Sequence, residues 1–515
     1  MALPASAQRR AERRRRRTRS PLAHIPWRIV ENNLPAMTVL SPEELDKLHE
    51  ASMRIVEEIG IAFMDDEALD LWAAAGAAVD RSTQRVRIDR GLLLELTAKA
   101  PSSFTWRARN PARHVPIGSN HIAFAPNGGT IFAQDLEKGR RPGIMADYNN
   151  FLRLMQMCNA IHFTGDQLVT PHDVPVSHRH LQRSYSAFTL TDKAYMEAPH
   201  GRIISADAVE MAKIVFQEDV TRSHEPVLGG VVNASSPLRY DERMLGGMIT
   251  FGRANQVLII TPFILAGAMS PITMAAAVAQ QNAEALAGIA FVQVVRPGAP
   301  VLYGGFATNI DMKTGGPAFG TPEGAWAMAA GAQLARRYGL PYRGSGSLNT
   351  SKAPDAQSVY ETMWSIWPAV MAHTNFVMHS VGWLEAGLTA SFEKVIIDME
   401  SLAMFSYFFQ GQEISDETLA LDMIAQVGPG GHHFGTPHTH ARYSTEFYTP
   451  ILADRQNYET WALNGAQDAA TRAHGIWKRL LADYAAPPMA VEIQEALQEF
   501  VARRGQELMG VELYG

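Results

Sequence analysis

A single cysteine, Cys158, stands in a chain of 515 residues, so an internal disulfide is excluded. That usage fits a reducing compartment such as the cytoplasm. No uninterrupted apolar run reaches the ~18 residues that a membrane-spanning helix needs. Positive charge is not in excess either: the formal net charge is -6, which argues against a general nucleic-acid binder. There is no internal repeat, and the one low-complexity tract is a run of arginines near the start. What is present is material for a large buried core, with 46% hydrophobic and 19% charged residues. An elaborated barrel of about 250 residues or more would account for most of such a chain.

The arginine run, Arg9 to Ser20, is followed by SPLAHIPW, whose two prolines leave no continuous apolar core for an export signal. We read it as part of a solvated, flexible basic arm over 1–36. An N-terminal elaboration over 37–158 comes next. Ser41 predicts a helix cap, with Pro42 in the first turn, acidic residues beside it and Gly60 at the end. From Val86 to Asp135, short apolar pieces separated by Pro, Gly and Asn predict small strands in a layer before the main sheet.

From Asn159 the pattern changes. Short apolar runs recur with enough chain between them for crossover helices: 161–167, 193–197, 227–233, 257–265, 301–307, 342–347, 376–381 and 395–398. The fourth run is too long for one strand. The pattern alone leaves both a closed barrel and an open doubly wound sheet in play. After 404 the composition predicts a C-terminal helical region, 405–515.

Three stretches carry the chemistry. GLPYRGSGSLNTSKAPDAQSVYETMW begins at Gly339 and joins a strand to a Gly/Ser loop and then to an aromatic helix, with Pro354 expected in its first turn. YGGFATNIDMKTGGPAFGTPEGA begins at Tyr303, and GPGGHHFGTPHT begins at Gly428. Together they resemble the trimethylamine methyltransferase family, over nearly the whole chain. Archaeal members of that family carry pyrrolysine, whereas every residue here is an ordinary one. The resemblance therefore points to the pyrrolysine-lacking branch. It implies an α/β fold, a TIM (β/α)8 barrel over 159–404 with N-terminal helical and extended elaboration and C-terminal helices. It also implies transfer of a methyl group from an amine to a corrinoid protein.

Chemistry in such a barrel sits where strands end. Asp166, Glu197, Asn233, Ser235, Phe306, Asn309, Asp311, Ser345, Ser347 and His379 fall near those ends. Barrel mouths also hold polar groups that only cap helices, and Asp311 and Glu323 read that way. A quaternary ammonium offers no hydrogen-bond donor, so aromatic faces must hold it. Tyr360 and Trp364 lie four apart on one predicted helix face, with Trp367, Trp383 and Phe306 nearby in sequence. We expect a substrate site of Phe306, Asn309, Gly346, Ser347, Tyr360, Trp364, His379, His432 and His438. Amides of the 344–347 loop, Lys352 or His379 are the expected partners of a substrate carboxylate.

His432, His433, His438 and His440 fall close together, but their spacing matches no metal signature, and no bound metal is expected. Gly428, Pro429, Gly430, Gly431, His432, Gly435, His438 and Thr439 fit the family's pattern there, while His433 stands where an apolar residue is expected. The chain also lacks the Asp-x-His-x-x-Gly motif of corrinoid carriers. Cobalamin is therefore expected on a separate partner protein, with a homo-oligomer expected for the chain itself. A quaternary amine such as glycine betaine is the expected methyl donor, because it leaves as a neutral tertiary amine without help from pyrrolysine. A metal-dependent barrel hydrolase and a non-catalytic quaternary-amine-binding protein are the alternatives.

Overall fold

The computed structural model describes Leu22 and residues 25–513. The arginine run assigned to a flexible arm lies outside the described residues. Eight strands form the main sheet, numbered here along the chain: β1 Val30–Glu31, β2 His121–Phe124, β3 Tyr195–Met196, β4 Leu228–Val232, β5 Val257–Ile260, β6 Val301–Gly304, β7 Tyr342–Ser345 and β8 Phe376–Met378. Their order is β1-β2-β8-β7-β6-β5-β4-β3. All neighbours from β3 to β2 pair in parallel, and only β1 runs antiparallel at the edge.

Between β2 and β3 in sequence, 161–164 runs alongside both without forming a regular strand. His162 N–H donates to the Phe124 carbonyl at 2.9 Å, and Phe163 makes a parallel bridge to Ala194. Six of the expected strands hold parts of β3 to β8. The run at 161–167 contributes only that bridge. The run at 395–398 is corrected: Val395, Ile396, Ile397 and Asp398 lie inside a helix, Phe392–Phe408. β2, read from sequence as part of the preceding layer, supplies a parallel strand instead. The long fourth run breaks, as expected, into β5 and a short strand Phe263–Ala266.

Local signals explain much of the rest. Ser41 caps Pro42–Arg54 in a full capping box with Glu44, and Gly60 ends that stretch with a φ of 80°. Helix Met274–Val295 has no polar face, and every residue from Ala277 to Gln293 is buried. It packs against Pro42–Arg54 and Arg90–Thr97 on one side and the sheet on the other. The expectation for Pro354 is corrected: Asp355 is the N-cap of Ala356–Met371 and accepts from Ser358 N–H, so Pro354 precedes the helix. The expected C-terminal helices are present as Ala469–Asp483 and Val491–Glu507, with short helices before them. No helix among the described residues is long and apolar enough to cross a membrane.

Candidate functional site

The segments that follow the parallel strands converge on one cavity of about 530 Å3, within the range of small-molecule sites. One wall is aromatic. Phe306 begins the strand Phe306–Ile310 just after β6, and it lies 5.1 Å from Phe263 and 5.5 Å from Phe319, ring centre to ring centre. Trp383 closes the wall, edge-on to Phe319 at 5.0 Å and stacked on His379 at 4.8 Å. The buried Trp383 indole N–H has no partner among the described residues. Its ring lies where a side chain at Gly387 would stand, since a Cβ there would fall 2.2 Å from the indole, and the φ of 91° also favours glycine.

The opposite feature is a charge. Arg343 sits within β7, almost wholly buried, with its guanidinium over the Phe306 ring at 5.1 Å. Its Nη1 donates to the Gly305 carbonyl at 3.3 Å, and its Nε has no partner among the described residues. No described carboxylate forms an ion pair with it. Burial lowers its pKa to about 10, which leaves it cationic at neutral pH. A buried, charged group with an open donor is costly unless something binds it.

Asp166 lines the same cavity, and burial raises its carboxyl above the usual range while the Gln167 N–H it accepts works against that rise. Burial drives His379 well below the ordinary imidazole range, with Arg343 adding to the effect, and takes His200 to about 3. Both rings are therefore neutral in this cavity. His379 holds a left-handed backbone with a φ of 55°, tied by its N–H to the Pro126 carbonyl and by its own carbonyl to the Ser347 N–H. Strain of this kind in a non-glycine residue is maintained by its surroundings and clusters at functional sites.

Of the residues named from sequence, Phe306 and His379 line the cavity, together with Asp166, Asn233 and Ser235. Glu197 lies beneath it, bound to Arg183, Ser184 and Tyr195. Gly346 faces away, packed on Val377, Ser380 and Ile366. Ser347 is buried behind the sheet, where its hydroxyl donates to Asp398 at 2.7 Å and accepts from Lys394 at 2.9 Å. Asp398 also accepts from Gly382 N–H at 2.8 Å, so this network holds the segment bearing Trp383. Asn309 bonds its own strand and Thr321, outside the cavity. Tyr360 and Trp364 point into solvent, 62% and 52% exposed, and are not brought to the site. His432 and His438 sit on a distant C-terminal segment, the first exposed and the second half-buried. Lys352 donates to the Thr350 carbonyl at the surface.

Sequence reasoning missed Arg343, Phe263 and Phe319. An arginine in the middle of a strand with no polar alternation was the available signal. A buried sheet has no place for an unpaired cation unless that cation serves a site.

The family described as trimethylamine methyltransferase matches residues 6–509 of this chain. A glycine betaine methyltransferase of Desulfitobacterium hafniense is 39% identical over 92% of this chain and 98% of its own length. A trimethylamine methyltransferase of the same species is 29% identical over 91% and 94%, and that of Methanosarcina barkeri 26% over 92% and 97%. In fold, the chain is similar to the monomethylamine methyltransferase of Methanosarcina barkeri, with a TM-score of 0.50 at 8% identity, covering 88% of this chain and 90% of that one. With a family match across nearly its whole length, a shared fold and a cavity at the strand ends, this chain belongs to the trimethylamine methyltransferase family.

Proposed function

We propose that this enzyme moves a methyl group from a betaine, a quaternary ammonium that also carries a carboxylate, to cobalt(I) of a corrinoid on a separate protein. The observation that carries the reading is Arg343, a buried cation without a carboxylate partner among the described residues, set beside the aromatic wall of Phe306, Phe319 and Trp383. A guanidinium suits a carboxylate, and aromatic faces suit an ammonium that cannot hydrogen-bond. The similarity to a glycine betaine methyltransferase supports the same substrate class.

The cavity suits a small betaine and is far too small for a corrinoid macrocycle, which stays at the mouth on its carrier. When docked, that group supplies a nucleophilic cobalt(I). The chain's own residues bind, orient and desolvate. Arg343 anchors the carboxylate, so one methyl can face the mouth. The aromatic wall strips water from the ammonium, and the electrons of the breaking C–N bond stay on a nitrogen that departs as a neutral tertiary amine. No proton is needed, in keeping with the neutral His379 and His200.

The bridges at His162 and Phe163 support a closed (β/α)8 barrel, with 161–164 filling the gap between β2 and β3. On this reading the barrel begins at β2 rather than at 159. It lies between an N-terminal elaboration and a C-terminal helical region, in the cytoplasm to which the single cysteine points.

The test is the change from cobalt(I) to methylcobalt(III) spectra with a panel of amines and a cognate carrier. Glycine betaine or a related betaine should react, and trimethylamine should not. Arg343→Met should raise the KM for betaine by roughly tenfold to somewhat over a hundredfold, as expected for a lost charged hydrogen bond of ~1.5–3 kcal/mol. Turnover of trimethylamine alone, or an Arg343 variant with unchanged KM, would overturn the reading.

A further inference from the structure

Glycine betaine would leave much of the cavity unfilled. It has only eight non-hydrogen atoms, whereas a volume of about 530 Å3 is of the size that takes drug-sized ligands. The filled part follows from the betaine reading above, on which this inference rests. Arg343 on β7 has its guanidinium 5.1 Å from the centre of the Phe306 ring after β6, and Trp383 comes after β8. A carboxylate and an ammonium held there are close neighbours, as they are across a single α-carbon.

The unfilled part is lined by the segments after β3 and β4, which lie beyond β5 in the sheet. Ala198 and Ala234 follow those two strands, and their small side chains leave the space open. Two hydroxyls of this lining are committed: Ser235 donates to Asp241 at 2.5 Å and Ser236 to Glu284 at 2.5 Å. The His200 ring and the Asn233 amide are not. Neither side chain has a hydrogen bond among the described residues, although both line the cavity. A neutral imidazole and a primary amide each present both a donor and an acceptor, so together they suit a hydroxyl, an amide or another uncharged polar group. Arg239, the remaining charge of the lining, is exposed, where an ion pair adds little.

We propose that the preferred methyl donor is the trimethylammonium betaine of an α-amino acid with a neutral, hydrogen-bonding side chain, which His200 and Asn233 receive while Arg343 holds the carboxylate. The chemistry is that already described: the N–CH3 bond breaks, the methyl group passes to cobalt(I) and the electron pair stays on nitrogen. Specificity comes from the third contact. An apolar side chain of the same size would strip water from the imidazole and the amide without replacing its hydrogen bonds, and a site built to pair a hydroxyl rejects the analogue that lacks one. Three unlike contacts around one α-carbon also select its handedness.

The test compares both enantiomers of homoserine betaine with norvaline betaine, which carries a methyl in place of the hydroxyl, and with glycine betaine. Affinity is read by calorimetry on the full chain without carrier, and kcat/KM from the cobalt spectra with a cognate carrier. One enantiomer of homoserine betaine should exceed its mirror image, norvaline betaine and glycine betaine by roughly tenfold or more in both measurements. His200→Leu and Asn233→Leu, each checked for folding by circular dichroism and a thermal melt, should shrink the preference for homoserine over norvaline betaine. The two readings fail differently. If no betaine binds or reacts, the betaine reading falls and takes this inference with it. If glycine betaine is used but homoserine betaine is no better than glycine or norvaline betaine, or its enantiomers are equal, or its preference survives in both variants, this inference alone is overturned.

Discussion

Asp166 and Arg343 put opposite charges into one cavity without pairing with each other, and their titrations give the site a signed pH dependence. Burial raises the Asp166 carboxyl, while Arg343 titrates near 10 and His200 near 3. Burial thus shifts the change of charge at Asp166 toward neutral pH, while Arg343 stays cationic and His200 neutral there. Above its folded value Asp166 is ionised and favours a bound ammonium. Betaine affinity should fall as pH drops through that value, and Asp166→Asn should bind more weakly with the acid limb gone. The free protein should respond in the opposite sense. A carboxyl that holds its proton more tightly when folded contributes stability below its unfolded pKa, and that contribution is lost as pH rises through the folded one. Calorimetric titration and melts over the same pH series check both signs, and a flat binding profile in the parent would remove Asp166 from the site. At this scale the sequence was half legible. Phe306 and His379 follow strands and could be placed. Tyr360 and Trp364 could not, because spacing of four defines a helix face without saying which face meets solvent.

The helix Phe392–Phe408 carries the plainest misreading and a consequence for stability. Its run of Val395, Ile396 and Ile397 has strand-like composition, and most of the helix is buried, which removes the polar face that marks an amphipathic helix. Ser391 caps it by accepting from the Lys394 N–H, and this start signal outweighs the β-branched run. Lys394 and Asp398, one turn apart, then form a buried ion pair that reaches Ser347, Thr362 and the Gly382 N–H. Removing one partner leaves an uncompensated buried charge. Asp398→Ala should cost roughly 3–5 kcal/mol in urea unfolding, while Lys394→Met with Asp398→Leu should cost much less. Because Gly382 precedes Trp383, the single variant should also loosen the aromatic wall and weaken betaine binding. A single variant as stable as the parent would show that the pair carries no such strain. By contrast, Ser41, Gly60, Asp311 and Thr321 did what their residue types predict, since caps and turns are decided within a few residues.

Across the whole molecule, the alternation of short apolar runs identified the parallel sheet, because strands buried on both faces are apolar throughout. The irregular 161–164 segment and the early strand β2 were not legible, since long-range hydrogen bonds such as those of His162 decide their place. The helix Met274–Val295 offers a use beyond architecture. Its central residues are all buried between the N-terminal helices and the sheet, so its amides have no route to water short of global unfolding. Their deuterium uptake is a clock for the entire fold. A ligand that binds only the folded chain should slow that clock by one plus the ratio of its concentration to its dissociation constant, about a hundredfold at one hundred times that constant. Deuterium labelling read by mass spectrometry on peptides from 277–293 would then rank betaines by affinity in the absence of carrier, cobalt or turnover. If protection there ignored a betaine that turns over, opening of this helix would have to be local, and its burial would not be the anchor of the fold.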